Sequence, residues 1–359
     1  MSGTDRRDLQ RRLFPAGVPR LWCPPLTHYD RDGGIDHVRC AAHLAFIARW
    51  SRGWLVPGST GDGWELTPAE TQEVVDLALL EAAHLGAKVL VGALHPDAAE
   101  AARVVRDTSA RVGADRRAGS LTGEDDSAGR GAGDRFGGAL CGFAACPPRG
   151  VDLTQKELGR ALGELLSLGA PLALYQLPQV TENEMSPGLV ASLARRFPNF
   201  VLFKDTSGAD RVTAARTAGL DLEGVFLVRG AEGEYAAHLR PNGGGYDGLL
   251  LSTANSFGAQ LSLIIELSEA GRRVEAAELS SRLSALVAQL FAIVDSLPDG
   301  NPFANAAKAA DHFFAYGPQA LAAPPPRLHA GSVLPREVLA ATGEALGRYD
   351  LLPATGYLG

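Results

Sequence analysis

Between residues 21 and 255 a short apolar run gives way to a longer stretch of helical periodicity, and it does so eight times. The runs are LWCPPL (21–26), WLVPGST (54–60), KVLVGAL (88–94), ALCGFAACP (139–147), PLALYQLP (171–178), FVLFKDT (200–206), VFLVRG (225–230) and DGLLLSTAN (247–255). Their near-continuous apolar character fits parallel strands covered on the outside, not strands with one wet face. The stretches between them carry helix punctuation. In TPAETQEVVDLALLEAAHLG, Thr67 reads as an N-cap, Pro68 as the first helical residue and Gly86 as the stop, and SPGLVASLARRFPN (186–199) follows the same plan. Eight such units closing on themselves make an α/β TIM (β/α)8 barrel of roughly 250 residues, which residues 18–271 accommodate. A doubly wound open sheet, with its usual five or six strands, would leave two units unexplained.

On either side the pattern stops. Residues 1–17 form an N-terminal extension, and residues 272–359 a C-terminal helical extension with helical patterns at 273–296, 302–316 and 335–347. The segment 113–138 is rich in Gly, Asp, Arg and Ser with almost nothing to bury, so a flexible insertion is expected there. It precedes the fourth run, which places it on the N-terminal face of a barrel, opposite the face where barrels keep their chemistry. A net charge of −7 argues against broad nucleic-acid binding or a basic membrane patch. No uninterrupted apolar run is long enough to span a bilayer, and the N-terminus lacks the apolar core of a secretory signal. The four cysteines show no CxxC or zinc spacing, which fits free thiols in a reducing cytoplasm. The eight histidines form no HxH or HExxH, so neither a metal nor a cofactor is expected.

Only four of the 34 basic residues are lysines, at 88, 156, 204 and 308. Lys204 ends the apolar run of NFVLFKDTSG, where a strand of the barrel would reach the mouth. Alternation along that strand sends Val201 and Phe203 one way and Leu202 and Lys204 the other. Tyr175, on the preceding strand, can meet Lys204 if both face inward, since parallel neighbours lie about 4.8 Å apart. Partial desolvation there favours the neutral amine, a nucleophile toward a carbonyl, and a tyrosine hydroxyl could shuttle the accompanying protons. A strand-end ion pair for Lys204 and a core aromatic for Tyr175 are the plainer alternatives. PGSTGDGWEL (57–66) is a glycine-rich strand-to-helix turn whose N–H groups can hold an anion, without the spacing of a nucleotide P-loop. Trp54 and Trp64 read as core or rim aromatics, His28 and Tyr29 as surface-loop residues, and AEGEYAAHLRPNGGG as a helix and turn.

These motifs, in this order, resemble the dihydrodipicolinate synthase / N-acetylneuraminate lyase family of class I pyruvate-dependent aldolases, over about residues 18–316. GSTGDGWELTPAE (58–70) is similar to the family's Gly-Thr-Thr-Gly-Glu turn, YQLP (175–178) to its Tyr-x-x-Pro and FKDTSG (203–208) to its Schiff-base lysine segment. RGAEGE (229–234), GLLLSTAN (248–255) and NPFANAAKAA (301–310) resemble later family landmarks. The resemblance implies a Schiff base on Lys204, acid/base work by Tyr175, a carboxylate site at Gly58, Ser59 and Thr60, and flanking contacts from Gly230 and Leu250. It also implies a small 2-oxo acid with or without an aldehyde as substrate, and a homo-oligomer, dimer or tetramer. Two departures stand out. CPPRG replaces the family's Pro-Tyr-Tyr, putting Arg149 and Gly150 where an interface tyrosine would complete a hydroxyl relay. After YQLP come Gln179 and Val180, with no cation for an aldehyde's carboxylate. Synthesis of dihydrodipicolinate is therefore not expected, and Arg149 becomes a candidate contact for an acidic second substrate. A catalytically silent or small-acid-binding relative is the alternative, and a metal-dependent class II aldolase lacks ligands.

Overall fold

The computed structural model describes residues 5–121 and 135–358. Its strands are β1 (Leu21–Cys23), β2 (Gly53–Val56), β3 (Lys88–Ala93), β4 (Leu140–Ala145), β5 (Leu172–Gln176), β6 (Phe200–Asp205), β7 (Phe226–Arg229) and β8 (Gly248–Leu250). They join in chain order into a closed barrel, the (β/α)8 architecture expected. The helices are α1 (Arg6–Leu13), α2 (His37–Ile47), α3 (Pro68–Leu85), α4 (Ala98–Leu121), α5 (Gln155–Leu166) and α6 (Pro178–Thr181). They continue with α7 (Pro187–Arg196), α8 (Arg211–Thr217), α9 (Ala254–Glu269), α10 (Arg273–Val294), α11 (Pro302–Tyr316) and α12 (Arg336–Arg348). Each apolar run holds a strand shorter than the run, because proline, glycine and hydroxyl residues at its C-terminal end turn the chain. Thr67 and Glu70 form reciprocal bonds at the start of α3, and Gly86 follows its end with φ +70°. Ser186 likewise caps α7.

By its contacts the chain forms two compact units, Met1–Val18 with Leu79–Leu227 and Pro19–Ala78 with Val228–Gly359. In the first, β3 to β6 pair in parallel around fully buried side chains such as Val91, Phe143, Leu174 and Phe203. The described part of the N-terminal extension, from residue 5 on, belongs to this unit. Arg6, only 4% exposed, donates from Nε to Phe200 O (2.7 Å) and from Nη2 to Phe197 O (2.9 Å), and also reaches the carbonyls of Ala194 and Glu223. Gln10 adds bonds to Val201 O and Gly224 O. The guanidinium thus gathers carbonyls from the end of α7, the start of β6 and the loop before β7.

Part of the segment expected to be flexible lies within the described residues. α4 continues through residues 113–121, and Phe136 is wholly buried beneath the Arg135 guanidinium, 4.5 Å from its ring centroid. The Arg135 Nε pairs with Asp115 Oδ1 at 3.1 Å, tying the turn before β4 to α4. Residues 122–134, the rest of that expectation, lie outside the described residues.

In the second unit β1 pairs with β2 and with β8. Gly53 is required there, because a Cβ would sit 2.4 Å from the Trp22 ring. The three C-terminal helical patterns appear as α10, α11 and α12 within one or two residues. α10 is long and apolar enough by length and composition to pass for a membrane span, yet its Leu283, Leu286, Leu290 and Val294 are buried among α9, α11 and α12. Each such buried side chain contributes roughly 1.5–3 kcal/mol. The expected helix in AEGEYAAHLRPNGGG is absent: the stretch is a run of turns with one 3-10 turn, Arg240–Asn242, closed by a Leu239–Tyr246 bridge. Pro241 and the following glycines, with Gly243 at φ +98°, stop a helix from propagating.

Candidate active site

Lys204 is the penultimate residue of β6, and its register partner on β5 is Tyr175. Both are nearly inaccessible, at 5% and 2% exposure. Their side chains meet as the alternation required, but through the face of the ring: Lys204 Nζ lies 3.9 Å from the Tyr175 ring centroid. That contact seats the amine on the ring face and keeps water from that side of it. The adjacent pair, Gln176 and Asp205, faces the other way. Asp205 Oδ1 accepts from Ser207 N (2.9 Å) and Oγ (2.6 Å), and its side chain is fully buried. Burial raises its pKa, with the Ser207 bonds opposing. Its role is to shape the turn that follows Lys204. Cys146, just past β4, is also buried; burial pushes its thiol pKa up, and the nearby Lys204 charge opposes that shift.

Arg149 is exposed, its guanidinium 2.6 Å from Glu182 Oε1, while its backbone N–H binds Pro96 O. The residue suggested as a substrate contact therefore begins in a solvent-facing ion pair, which water screens. Gln179 donates to Thr206 O and braces the loop after β6.

In the second unit the turn after β2 is a 3-10 turn over Ser59–Gly61. The N–H groups of Gly61 and Gly63 both converge on Gly58 O. A Cβ on Gly61 would lie 2.5 Å from Pro25 O, so only glycine lets the turn nest against the loop after β1. Thr27 Oγ1 donates to Gly61 O from the same loop. Thr60 is buried and Ser59 half-buried, with the Trp64 indole N–H donating to Ser59 Oγ at 2.9 Å. The indole occupies a lone pair of that hydroxyl and leaves its hydrogen to donate elsewhere. Gly230 and Leu250, beyond β7 and at the end of β8, are buried. Glu232 ties these strand ends together, accepting from Ser252 Oγ (2.6 Å), Thr253 Oγ1 (2.6 Å) and Tyr235 Oη (3.0 Å).

Sequence reasoning missed two buried polar clusters in this unit. His28 and Tyr29 are not surface residues but buried, at 3% and 8% exposure. Tyr29 joins Asp62 and Lys308. His28 joins His43, Arg39, Tyr357 and Asp311, the last pairing with His43 Nδ1 at 3.0 Å. His28, His43 and Asp311 have the types and proximity of a metal site. Two of the three are engaged elsewhere: His43 Nε2 meets Asn255 Oδ1 at 2.9 Å and the Arg39 guanidinium bears on the Asp311 carboxylate, while His28 Nε2 is buried without a hydrogen-bond partner. The only hint in the sequence was polar residues within apolar helical faces.

The structure thus sets a buried lysine against a tyrosine at neighbouring strand ends of a closed parallel barrel. Residues 142–298, which contain Tyr175 and Lys204, match the Dihydrodipicolinate synthetase family. A 4-hydroxy-tetrahydrodipicolinate synthase of Rhizobium meliloti (strain 1021) is 26% identical over 282 residues, 78% of this chain and 83% of that protein. YagE, an E. coli K12 prophage protein of the dihydrodipicolinic acid synthase family solved with pyruvate, shares the fold at a TM-score of 0.70 and 18% identity. The match covers 93% of this chain and 99% of YagE. A Sulfolobus 2-keto-3-deoxygluconate aldolase superposes at 0.65, with 17% identity over 92% of this chain and 96% of the aldolase. Over residues 142–298 the chain is thus similar to the dihydrodipicolinate synthetase family, and along most of its length to 4-hydroxy-tetrahydrodipicolinate synthases.

Proposed function

We propose that the protein is a class I lyase or aldolase that forms a Schiff base between Lys204 and pyruvate or another 2-oxo acid. The observation that carries this is the buried Lys204–Tyr175 pair at register-matched positions of β5 and β6. The neutral amine adds to C2 of the 2-oxo acid, and loss of water from the carbinolamine gives the imine. Tyr175 carries the protons of both steps. Loss of a C3 proton then gives the enamine that adds to an aldehyde; the reverse sequence cleaves a 2-oxo acid, and a related one dehydrates a 2-keto-3-deoxy acid. The turn of Gly58, Ser59 and Thr60 is proposed to receive the carboxylate through hydroxyl and backbone N–H donors, with Gly230 and Leu250 flanking the substrate.

A true dihydrodipicolinate synthase is disfavoured by Arg149 and Gly150 in place of the expected tyrosines and by Gln179 where a cation would serve. Arg149 is proposed to meet only a substrate whose acidic group displaces Glu182. The four cysteines, all free and buried, support a cytoplasmic setting, and a homo-oligomer, dimer or tetramer, is proposed from the family resemblance. The test is a panel of 2-keto-3-deoxy acids, and of aldehydes with pyruvate, scored by pyruvate released or consumed. Turnover that vanishes in Lys204→Ala is expected. Silence across the panel would favour the small-acid-binding alternative, and turnover surviving Lys204→Ala would sink the Schiff-base assignment.

A further inference from the structure

A second lysine in this lysine-poor chain is buried more deeply than the first. Lys308, on α11, is 1% exposed, and its Nζ lies 2.8 Å from Asp62 Oδ2. Asp62 is the residue that closes the Ser59–Gly61 turn, in a left-handed conformation at φ 59°. The same Oδ2 accepts from Tyr29 Oη at 2.9 Å, and the Lys308 ammonium lies 4.7 Å from the Tyr29 ring centroid. Burying an ion pair gains little stability over apolar packing of the same volume, so its presence points to a geometric role. α11 also grips the turn a second time. Asn301, its N-cap, divides its amide: Oδ1 accepts Ala304 N–H at 2.9 Å, while Nδ2 donates to Ser59 O at 3.0 Å. One helix of the C-terminal extension therefore holds the backbone of Ser59 and the side chain of Asp62, on either side of Thr60.

We infer that Asn301 and Lys308 are positioning residues for the turn, so that affinity for a substrate carboxylate is set from the C-terminal helical extension. Neither residue touches the reacting atoms; each acts by fixing where the Ser59 and Thr60 donors point. The inference rests on the proposed role of that turn as the carboxylate site.

Two variants separate positioning from folding. Asn301→Asp keeps an N-cap acceptor for α11 but loses the donor to Ser59 O. Asp62→Asn with Lys308→Met removes both charges at once, so no unpaired charge is left buried. The readout is borohydride trapping of pyruvate on Lys204, titrated with pyruvate, alongside thermal unfolding. Both variants are expected to fold, to label Lys204 fully at saturation, and to need about 10-fold or more pyruvate for half-labelling, as misplacement of a binding group implies. A merely structural role would lower the melting temperature and leave half-labelling unmoved. Folded variants with half-labelling within about twofold of the parent would overturn the inference, since one decade is about 1.4 kcal/mol of binding. If the parent protein itself takes no label, the Schiff-base reading falls, and this inference falls with it.

Discussion

Replacing Tyr175 by phenylalanine removes one oxygen and leaves in place the ring face on which the Lys204 amine rests, 3.9 Å from its centroid. The two proposed contributions of this residue are thereby separated: the ring desolvates and orients the amine, and the hydroxyl moves protons. Loss of a general acid/base group lowers turnover by about 10²–10⁴-fold, which is about 3–5 kcal/mol on the barrier. Stability should change by only about 1 kcal/mol, because a single neutral hydroxyl is lost. Tyr175→Ala also deletes the ring, which is 2% exposed, and should cost about 3–5 kcal/mol of stability through the cavity it leaves. The assay is rapid-quench formation of the imine with pyruvate, run beside steady-state turnover and thermal unfolding for both variants. A Tyr175→Phe protein that turns over within about threefold of the parent would refute the proton-shuttle role. Tyr175 would then be a packing residue.

The cluster around Asp311 makes a pH prediction. Burial alone would raise the Asp311 pKa, but His43, His28 and Arg39 outweigh it and hold it well below the usual carboxylate range. Burial, aided by the Arg39 charge, holds His28 well below the usual histidine value. Both depressed groups bind fewer protons folded than unfolded, so stability is full above about pH 6.5 and declines on acidification. The decline starts with His28 and gains Asp311 below about pH 4. Asp311→Asn should cost about 3–5 kcal/mol at neutral pH and abolish the lower phase, checked by denaturant melts across pH. An unchanged acid profile would contradict this. Arg6→Met should destabilise by about 3 kcal/mol or more, since it removes the guanidinium donors to Ala194 O, Phe200 O and Glu223 O, while Phe197 O keeps the Phe200 N–H. Its melting curve would show otherwise if the N-terminal helix were dispensable.

The strands were legible because parallel strands covered on both faces must be written as continuous apolar runs, and the eight runs leave no other plausible count. Lys204 was legible through scarcity, and Tyr175 through alternation and strand spacing. How they touch was not: the side-chain path that sets the amine over the ring, instead of beside the hydroxyl, is decided by packing. Lys308 carried the same signal of scarcity, yet its partner Asp62 lies 246 residues away in sequence, beyond any local pattern. His28 and Tyr29 look like loop residues for the same reason, since the groups that bury them come from Asp311, Asp62 and Lys308. The continuation of α4 was hidden by its polar composition, while a single distant aromatic, Phe136, anchors the chain's return.

The most direct measurement is intact-protein and peptide mass spectrometry after borohydride reduction in the presence of pyruvate. One reduced pyruvate adduct per chain, mapping to the peptide that contains Lys204 and absent from Lys204→Ala, is predicted. An unlabelled protein under conditions that label a known class I aldolase, or an adduct on Lys88, Lys156 or Lys308 instead, would contradict it.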